Sequence, residues 1–420
     1  MVFEVGIGTS QNWDPKVASL EAIESALNKL THPPTFILLF STIHYEKNAG
    51  FQKILDSTYT KISKDTPLVG GTVAGFMNNS GCYTRGVTIL SCYSDEIEVT
   101  TGVGHKTKRN PKKAAQDCAK QIKKSIKGEW KNKTLLNFVA SGIILKIPFK
   151  GSRKILKTPR LLDPFISPIL TLVTKFLGLG LGREDEVLEE LVKNLPNFNI
   201  IGGSTLDDNK WEKTNQFYAH EVLTNSVVGL AILTNNNIEI KSTLGLNPTG
   251  IKINSNKIGL YNSSIEKIES CGATTKLFEK LAWPKEYLNE SLHRKTLYYP
   301  FCYKKGQQLC SRVLALVVGE NLIFTNKISN EMELYTASGK SLINSIEPHL
   351  NTSSEKIDIH IACCATLEAL GRDVFKVYYK ILEKKKDSQF LLLFLSGEDA
   401  YTEGTELVRL NESFNSFKIF

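Results

Sequence analysis

Apolar and polar positions follow two periods along the first 245 residues, and the switches between them mark the elements. Met1 to Gly8 alternates at period two and predicts a strand. From Asp14, with Pro15 at the first helical position, Val17, Leu20, Ile23, Ala26, Leu27 and Leu30 recur at helical spacing. Pro33 and Pro34 end that helix, and the unbroken apolar run FILLFST (36–42) predicts a strand covered on both faces. A helix near 49–62 follows, then PLVGGTVAGF (67–76), where a strand stops on Gly70-Gly71 and the hydroxyl of Thr72. The turn NNSG (78–81) leads into two strands joined by a polar turn, GVTILSC-YSDE-IEVTTGVG (86–104).

The same series recurs. Gly102 and Gly104 stand to Pro111 as Gly6 and Gly8 stand to Pro15, at a constant spacing of 96 residues. A helix, the apolar run TLLNFVAS (134–141), a further helix and NIIGGSTLDD (199–208) follow, the last ending on Gly202, Gly203 and Ser204. SVVGLAIL-TNNN-IEIKSTLG (226–245) closes the second series. Six elements in one order predict a duplicated unit, 1–104 and 105–245, with an insertion at about 146–182. Paired glycines at a strand end leave bare backbone, which lets another group approach closely.

From Leu246 the pattern changes. Two strands flank the turn Gly319-Glu320-Asn321, and the chain ends strand–helix–strand, with IDIHIACCA (357–365) and QFLLLFLSGEDAY (389–401). These alternations predict an α/β fold of mixed β-sheets packed by helices, with an internally duplicated domain at 1–240 and a related domain at 241–420.

Composition bounds the function. A chain of 420 residues with 41% hydrophobic and 23% charged residues reads as globular, with two or three domains. No basic leader precedes an apolar stretch, no run is long enough to span a membrane, and the eight cysteines form no CxxC. A reducing cytoplasm is the expected location. The net charge of +9 is concentrated: His105 to Arg160 holds 17 Lys and Arg against Asp117 and Glu129. That excess admits contact of 105–182 with nucleic acid or an anionic membrane, but a solvated helix face fits better because no aromatic residues are interleaved. The insertion itself is basic, apolar and proline-bearing, and reads equally as a lid, a surface segment or a packed ornament.

No metal or cofactor is expected. The seven histidines show no helical i, i+4 pair, no GxxxxGK[ST] occurs, and Gly178-Leu179-Gly180-Leu181-Gly182 is not a nucleotide fingerprint. Three features remain as candidate chemistry. Cys363-Cys364 ends an apolar strand and reads first as a pair of small buried hydrophobes, with a reactive thiol as the alternative. Gly397-Glu398-Asp399 ends another strand and offers a carboxylate to an ammonium group. The paired glycines offer N–H groups to an anion. Together they suggest a site for a small zwitterion.

The GG-terminated strands, LGLNPTGIKIN near 244 and the closing HIACCATLEALGR … FLSGEDAYTEGTELVRLNESF resemble the FIST sensor family, as a FIST_N domain followed by a FIST_C domain. The C-terminal signature of that family is matched by Cys363, Leu370-Gly371-Arg372, Gly397-Glu398 and Asn411. The resemblance implies an intracellular module that senses small ligands such as amino acids and passes the signal to a separate partner protein. On this reading the ligand site draws on Gly70, Gly71, Thr72, Gly202, Gly203, Ser204, Cys363, Arg372, Gly397, Glu398 and Asn411. The rival readings are an enzyme using Cys363, Cys364 or Glu398, and a scaffold in which the glycines serve close packing.

Overall fold

The computed structural model describes residues 2–420 except 145, 148–150, 153, 159–164, 166–167, 170–171, 173–177, 181–182, 260–261, 351–354 and 386–387. Most of the insertion expected at 146–182 lies outside the described residues. The fold is mixed α/β, as the alternation of periods predicts.

The first stretch runs β1 (Phe3–Ser10), α1 (Pro15–Leu27), β2 (Phe36–Ser41), α2 (Gly50–Thr58), β3 (Leu68–Thr72), β4 (Gly75–Asn78) and β5 (Val87–Ser94). Asp14 caps α1 by accepting from the N–H groups of Lys16 and Val17 at 2.9 and 3.0 Å. Every residue of β2 is buried, as an unbroken apolar run requires. Added Cβ atoms at Gly6 and Gly8 would lie 1.9 and 2.0 Å from carbonyl oxygens of Ala26 and Ala22. The G-x-G spacing therefore sets how closely α1 seats on β1. The sheet order is β1-β5-β2-β3, with two antiparallel pairings and then a parallel one.

The second stretch runs β6 (Ile97–His105), α3 (Pro111–Ser125), β7 (Asn132–Ala140), α4 (Glu184–Asn194), β8 (Asn199–Thr205), β9 (Gln216–Tyr218) and β10 (Ser226–Thr234). Its order is β6-β10-β7-β8, again antiparallel, antiparallel, parallel. Gly102 and Gly104 approach α3 as closely as Gly6 and Gly8 approach α1. Ala114, Ala115, Cys118, Ala119 and Ile122 turn inward on α3, which leaves Lys112, Lys113, Lys120, Lys123 and Lys124 exposed.

A third stretch has the same order, split by a long excursion. β11 (Ile238–Leu244) is followed by a separate sheet that includes β12 (Leu246–Gly259), β13 (Phe301–Lys305), β14 (Gln308–Arg312) and β15 (Glu331–Ala337), with the short helix α5 (Leu292–Thr296) beside it. The chain then resumes with α6 (Gly339–Ser345), β16 (Ile357–Cys363), α7 (Cys364–Leu370), α8 (Val374–Lys384), β17 (Leu391–Tyr401), β18 (Arg409–Leu410) and β19 (Ser413–Ile419). The order β11-β19-β16-β17 is once more antiparallel, antiparallel, parallel.

The three sheets join in a cycle. β9 of the second stretch pairs with β3 of the first, and the far half of β17 pairs with β8 of the second. β4 of the first stretch then pairs with the near half of β17. One apolar cluster runs through all three, joining Phe40, Phe138 and Leu393 among others. No helix among the described residues is long and apolar enough to cross a membrane, and all eight cysteines are unbridged.

Candidate functional site

The glycine-rich strand ends lie in the seams of that cycle. Gly70 and Gly71 are buried in β3, opposite Leu39 and Phe40 on one side and Phe217 and Gln216 on the other. A Cβ at Gly70 would stand 1.7 Å from the Leu39 carbonyl oxygen, and one at Gly71 would stand 2.6 Å from that of Asn215. Thr72 exchanges hydrogen bonds with Asn215, its N–H donating at 2.9 Å and its hydroxyl accepting at 3.1 Å. Gly202 and Gly203 lie between β7 and β17, against Asn137 and the Gly397 carbonyl. These glycines sit where two backbones nearly touch, and their ladders occupy the N–H groups expected to hold an anion.

A buried polar group fills the seam between β8 and β17. Arg409 donates to Asp399 at 2.7 Å, to Ser204 at 2.5 Å and to the Gly397 carbonyl at 2.9 Å. Gly397 has φ of +68°, a left-handed turn that bulges β17 at this point. Glu398 is fully buried and accepts from Ser413 Oγ at 3.0 Å. Burial, with the Cys363 thiol beside it, holds its carboxyl well above the usual range. Burial thus disfavours the charged form that made it an expected partner for an ammonium group.

Cys363 and Asn411 come together elsewhere, at the end of β16. They line a tight cavity of about 10 Å³, room for about one water, with Cys364, Trp211, His293 and Glu368. Four parts of the chain build it: the loop after β8, the excursion through α5, the junction of β16 with α7, and the stretch from β17 to β19 that carries Ser396 and Asn411. The loop is held by Asp207, which accepts from the N–H groups of Trp211, Glu212 and Lys213 at 2.9, 2.8 and 3.2 Å. Asn209 and Trp211 take left-handed φ values of 61° and 58° in that loop, and Trp211 is turned edge-on to His293. Lys154 Nζ stands 5.6 Å over the Trp211 ring.

The electrostatics of the cavity are asymmetric. Glu368 gathers Arg294 Nε at 3.3 Å, Asn209 Nδ2 at 3.3 Å and His293 Nε2 at 3.8 Å. Burial and the nearby Lys154 push His293 down to about 3, so the imidazole is neutral. Asn411 Oδ1 accepts from Thr325 Oγ1 at 3.0 Å, which fixes its amide. The Cys363 thiol is held well above its usual range by burial and by Cys364 beside it, which disfavours a thiolate nucleophile. Leu297 and Val313 supply the apolar wall. The arrangement sets polar groups around a closed apolar pinch, and a molecule larger than a water enters only if its walls part. Among the described residues, no group of three or more His, Cys, Asp and Glu could hold a metal ion.

Of the residues expected from sequence, the cavity brings together Cys363 and Asn411, with Cys364 beside them. Gly70, Gly71, Thr72, Gly202, Gly203, Ser204 and Gly397 belong to the seams, and Glu398 backs Cys363 from the interior. Arg372 is exposed on the turn after α7. Trp211, His293, Glu368 and Lys154 carried no spacing or pattern by which sequence could single them out.

Residues 35–254 match the family described as FIST N domain. No curated protein matches the chain. Among solved structures, a cyanuric acid hydrolase described as an evolutionary innovation by structural concatenation aligns over 100% of both chains, at 7% identity and a TM-score of 0.33. The cyanuric acid hydrolase of A. caulinodans aligns over 56% of this chain and 72% of its own, at 11% identity and a TM-score of 0.24. These scores are too low to relate the activity of those enzymes to this chain.

Proposed function

Since the chain belongs to the FIST family, whose domains sense small ligands, we propose that the cavity at the end of β16 is its ligand site. The ligand is a compact metabolite admitted by parting of the cavity walls, which as they stand leave room for about one water, and it is recognised at one end by Glu368 and at the other by Lys154. The observation that carries this reading is the convergence of Cys363, Asn411, Trp211, His293 and Glu368 from four parts of the chain. A site assembled in this way registers occupancy as a change in how those parts pack, which is what a sensor requires. We read the molecule as a cytoplasmic binding module that passes its signal to a separate protein. The common strand order supports reading 1–104 and 105–245 as copies of one unit, with the third stretch as a further copy.

Fluorescence of a variant in which Trp13, Trp130 and Trp283 are replaced by Phe tests the reading, because its one remaining tryptophan, Trp211, forms part of the cavity wall. Titration with a panel of amino acids and other small metabolites should quench or shift its emission saturably for one chemical class. Glu368→Gln should weaken that response about tenfold or more, the loss expected when one partner of a charge-assisted contact becomes neutral. A confirmed ligand that leaves Trp211 emission unmoved, and binds Glu368→Gln as tightly as wild type, would place the site elsewhere.

A further inference from the structure

The sheet of the excursion carries a groove of about 380 Å³. That lies in the range of roughly 300–1,000 Å³ common for small-molecule sites. The groove crosses β12, β15 and β13, which pair in that order. Lys252 on β12 stands opposite Glu333 on β15, which in turn stands opposite Cys302 on β13. One step along, Asn254 stands opposite Glu331. Lys304 lies two residues beyond Cys302, so it shares the face of that thiol. Charge across the three strands therefore runs basic, acidic, basic.

Opposite charges on neighbouring strands ordinarily close into pairs. Here they stay apart. Among the described residues, the side chains of Lys252, Lys304 and Glu331 have no ion pair or hydrogen bond, and Glu333 accepts only the Gly250 N–H, at 2.8 Å. The floor is the buried Cys302, and Tyr335 adds an aromatic wall. A merely solvated sheet face needs neither the hollow nor a sunken thiol beneath its charges.

We infer that this groove is a second ligand site, separate from the cavity at the end of β16, for a small molecule with a cationic centre between two anionic groups: an aminodicarboxylate. The ammonium group lies against Glu331 and Glu333 on the central strand. Its carboxylates reach Lys252 and Lys304, whose strands are about 10 Å apart across two strand spacings. Tyr335 covers the hydrocarbon between them.

Isothermal titration of the full chain with L-glutamate and L-aspartate tests the assignment, using glutarate (no ammonium) and L-norvaline (one carboxylate) as comparators. Both acidic amino acids should bind saturably, with the comparators at least about tenfold weaker. Lys304→Met and Glu331→Gln should each weaken glutamate binding by about tenfold or more. Lys304 and Glu331 are exposed, so their unliganded melts should match wild type. Absence of saturable heat up to about 10 mM glutamate overturns the site. So does glutarate binding as well as glutamate, since the ammonium would then go unread. Glutamate that moves Trp211 emission at the same midpoint and still binds Glu331→Gln fully occupies the first cavity, which overturns the groove and leaves the first reading standing.

Discussion

Asp399 Oδ1 receives a hydrogen bond from Arg409 Nη1 at 2.7 Å, and both side chains are almost wholly out of water. The pair closes the seam where β17 lies on β8, and Asn137 Nδ2 adds a second donor to Asp399 at 2.9 Å. Removing one member leaves the other as a buried charge without its partner. Arg409→Met should therefore destabilise the protein by about 3–5 kcal/mol in urea unfolding. Adding Asp399→Leu to that variant should recover much of the loss, because no unpaired charge then remains. A double variant no better than the single one would mean that the seam needs the hydrogen bonds to Ser204 and Gly397 more than the charge pair.

A second expectation concerns Gly70. Its missing Cβ leaves room for the Leu39 backbone, which cannot move as a flexible side-chain tip can. Gly70→Ala should cost about 3 kcal/mol or more, the upper end of overpacking effects. The measurement is the denaturant midpoint, and a variant within error of wild type would show that β2 and β3 can slide apart.

Glu398 makes stability depend on pH. Its carboxyl is raised well above the ordinary value of 4.5 in the folded chain, while the unfolded chain ionises at that value. Between the two values the folded state holds one more proton, so stability falls as pH rises from about 4.5, by up to about 1.4 kcal/mol per unit for a single group. Glu412 and Glu184 are raised in the same direction by burial and add to the slope. Glu398→Gln should flatten it by one proton's share and stabilise the protein at pH 7 to 8. Urea midpoints that follow the wild-type slope would show that Glu398 is charged in the fold.

The cysteines should separate by mass-mapped alkylation of the native protein. Cys271 is exposed, whereas Cys363 is buried with its thiol held far above its usual range. Iodoacetamide at neutral pH should modify Cys271 first and Cys363 slower by on the order of a hundredfold or more. Equal rates would revive Cys363 as a reactive nucleophile.

How much of this was legible in the sequence differs between fold and site. The first two stretches announced themselves because Gly6, Gly8, Gly102 and Gly104 are forced by the approach of a helix, and such close contacts tolerate no other residue. The third was hidden for two physical reasons. The excursion parts β11 from α6 by most of a small sheet. In addition, Leu393 and Phe394 on β17 receive β4 much as Gly70 and Gly71 on β3 receive β9, so no glycine pair marks the strand. For the cavity, Cys363 stood out at the end of an apolar strand, whereas Asn411 was named through the family signature alone. Trp211, His293 and Glu368 converge only after folding, and each is an ordinary loop or helix residue until then. Glu398 was correctly sensed as unusual, but a strand end in sequence proved to be a strand interior, paired on both sides.

The cyclic joining of the three sheets has a mechanical consequence. In a linear stack the outermost member can peel away and leave its neighbours capped. In a closed round each member is keystone to the other two, and withdrawing any one bares two unpaired strand borders at once. Such borders recruit further chains. Loss of one stretch, by proteolysis or truncation, would therefore give a polymerising molecule rather than a smaller folded one.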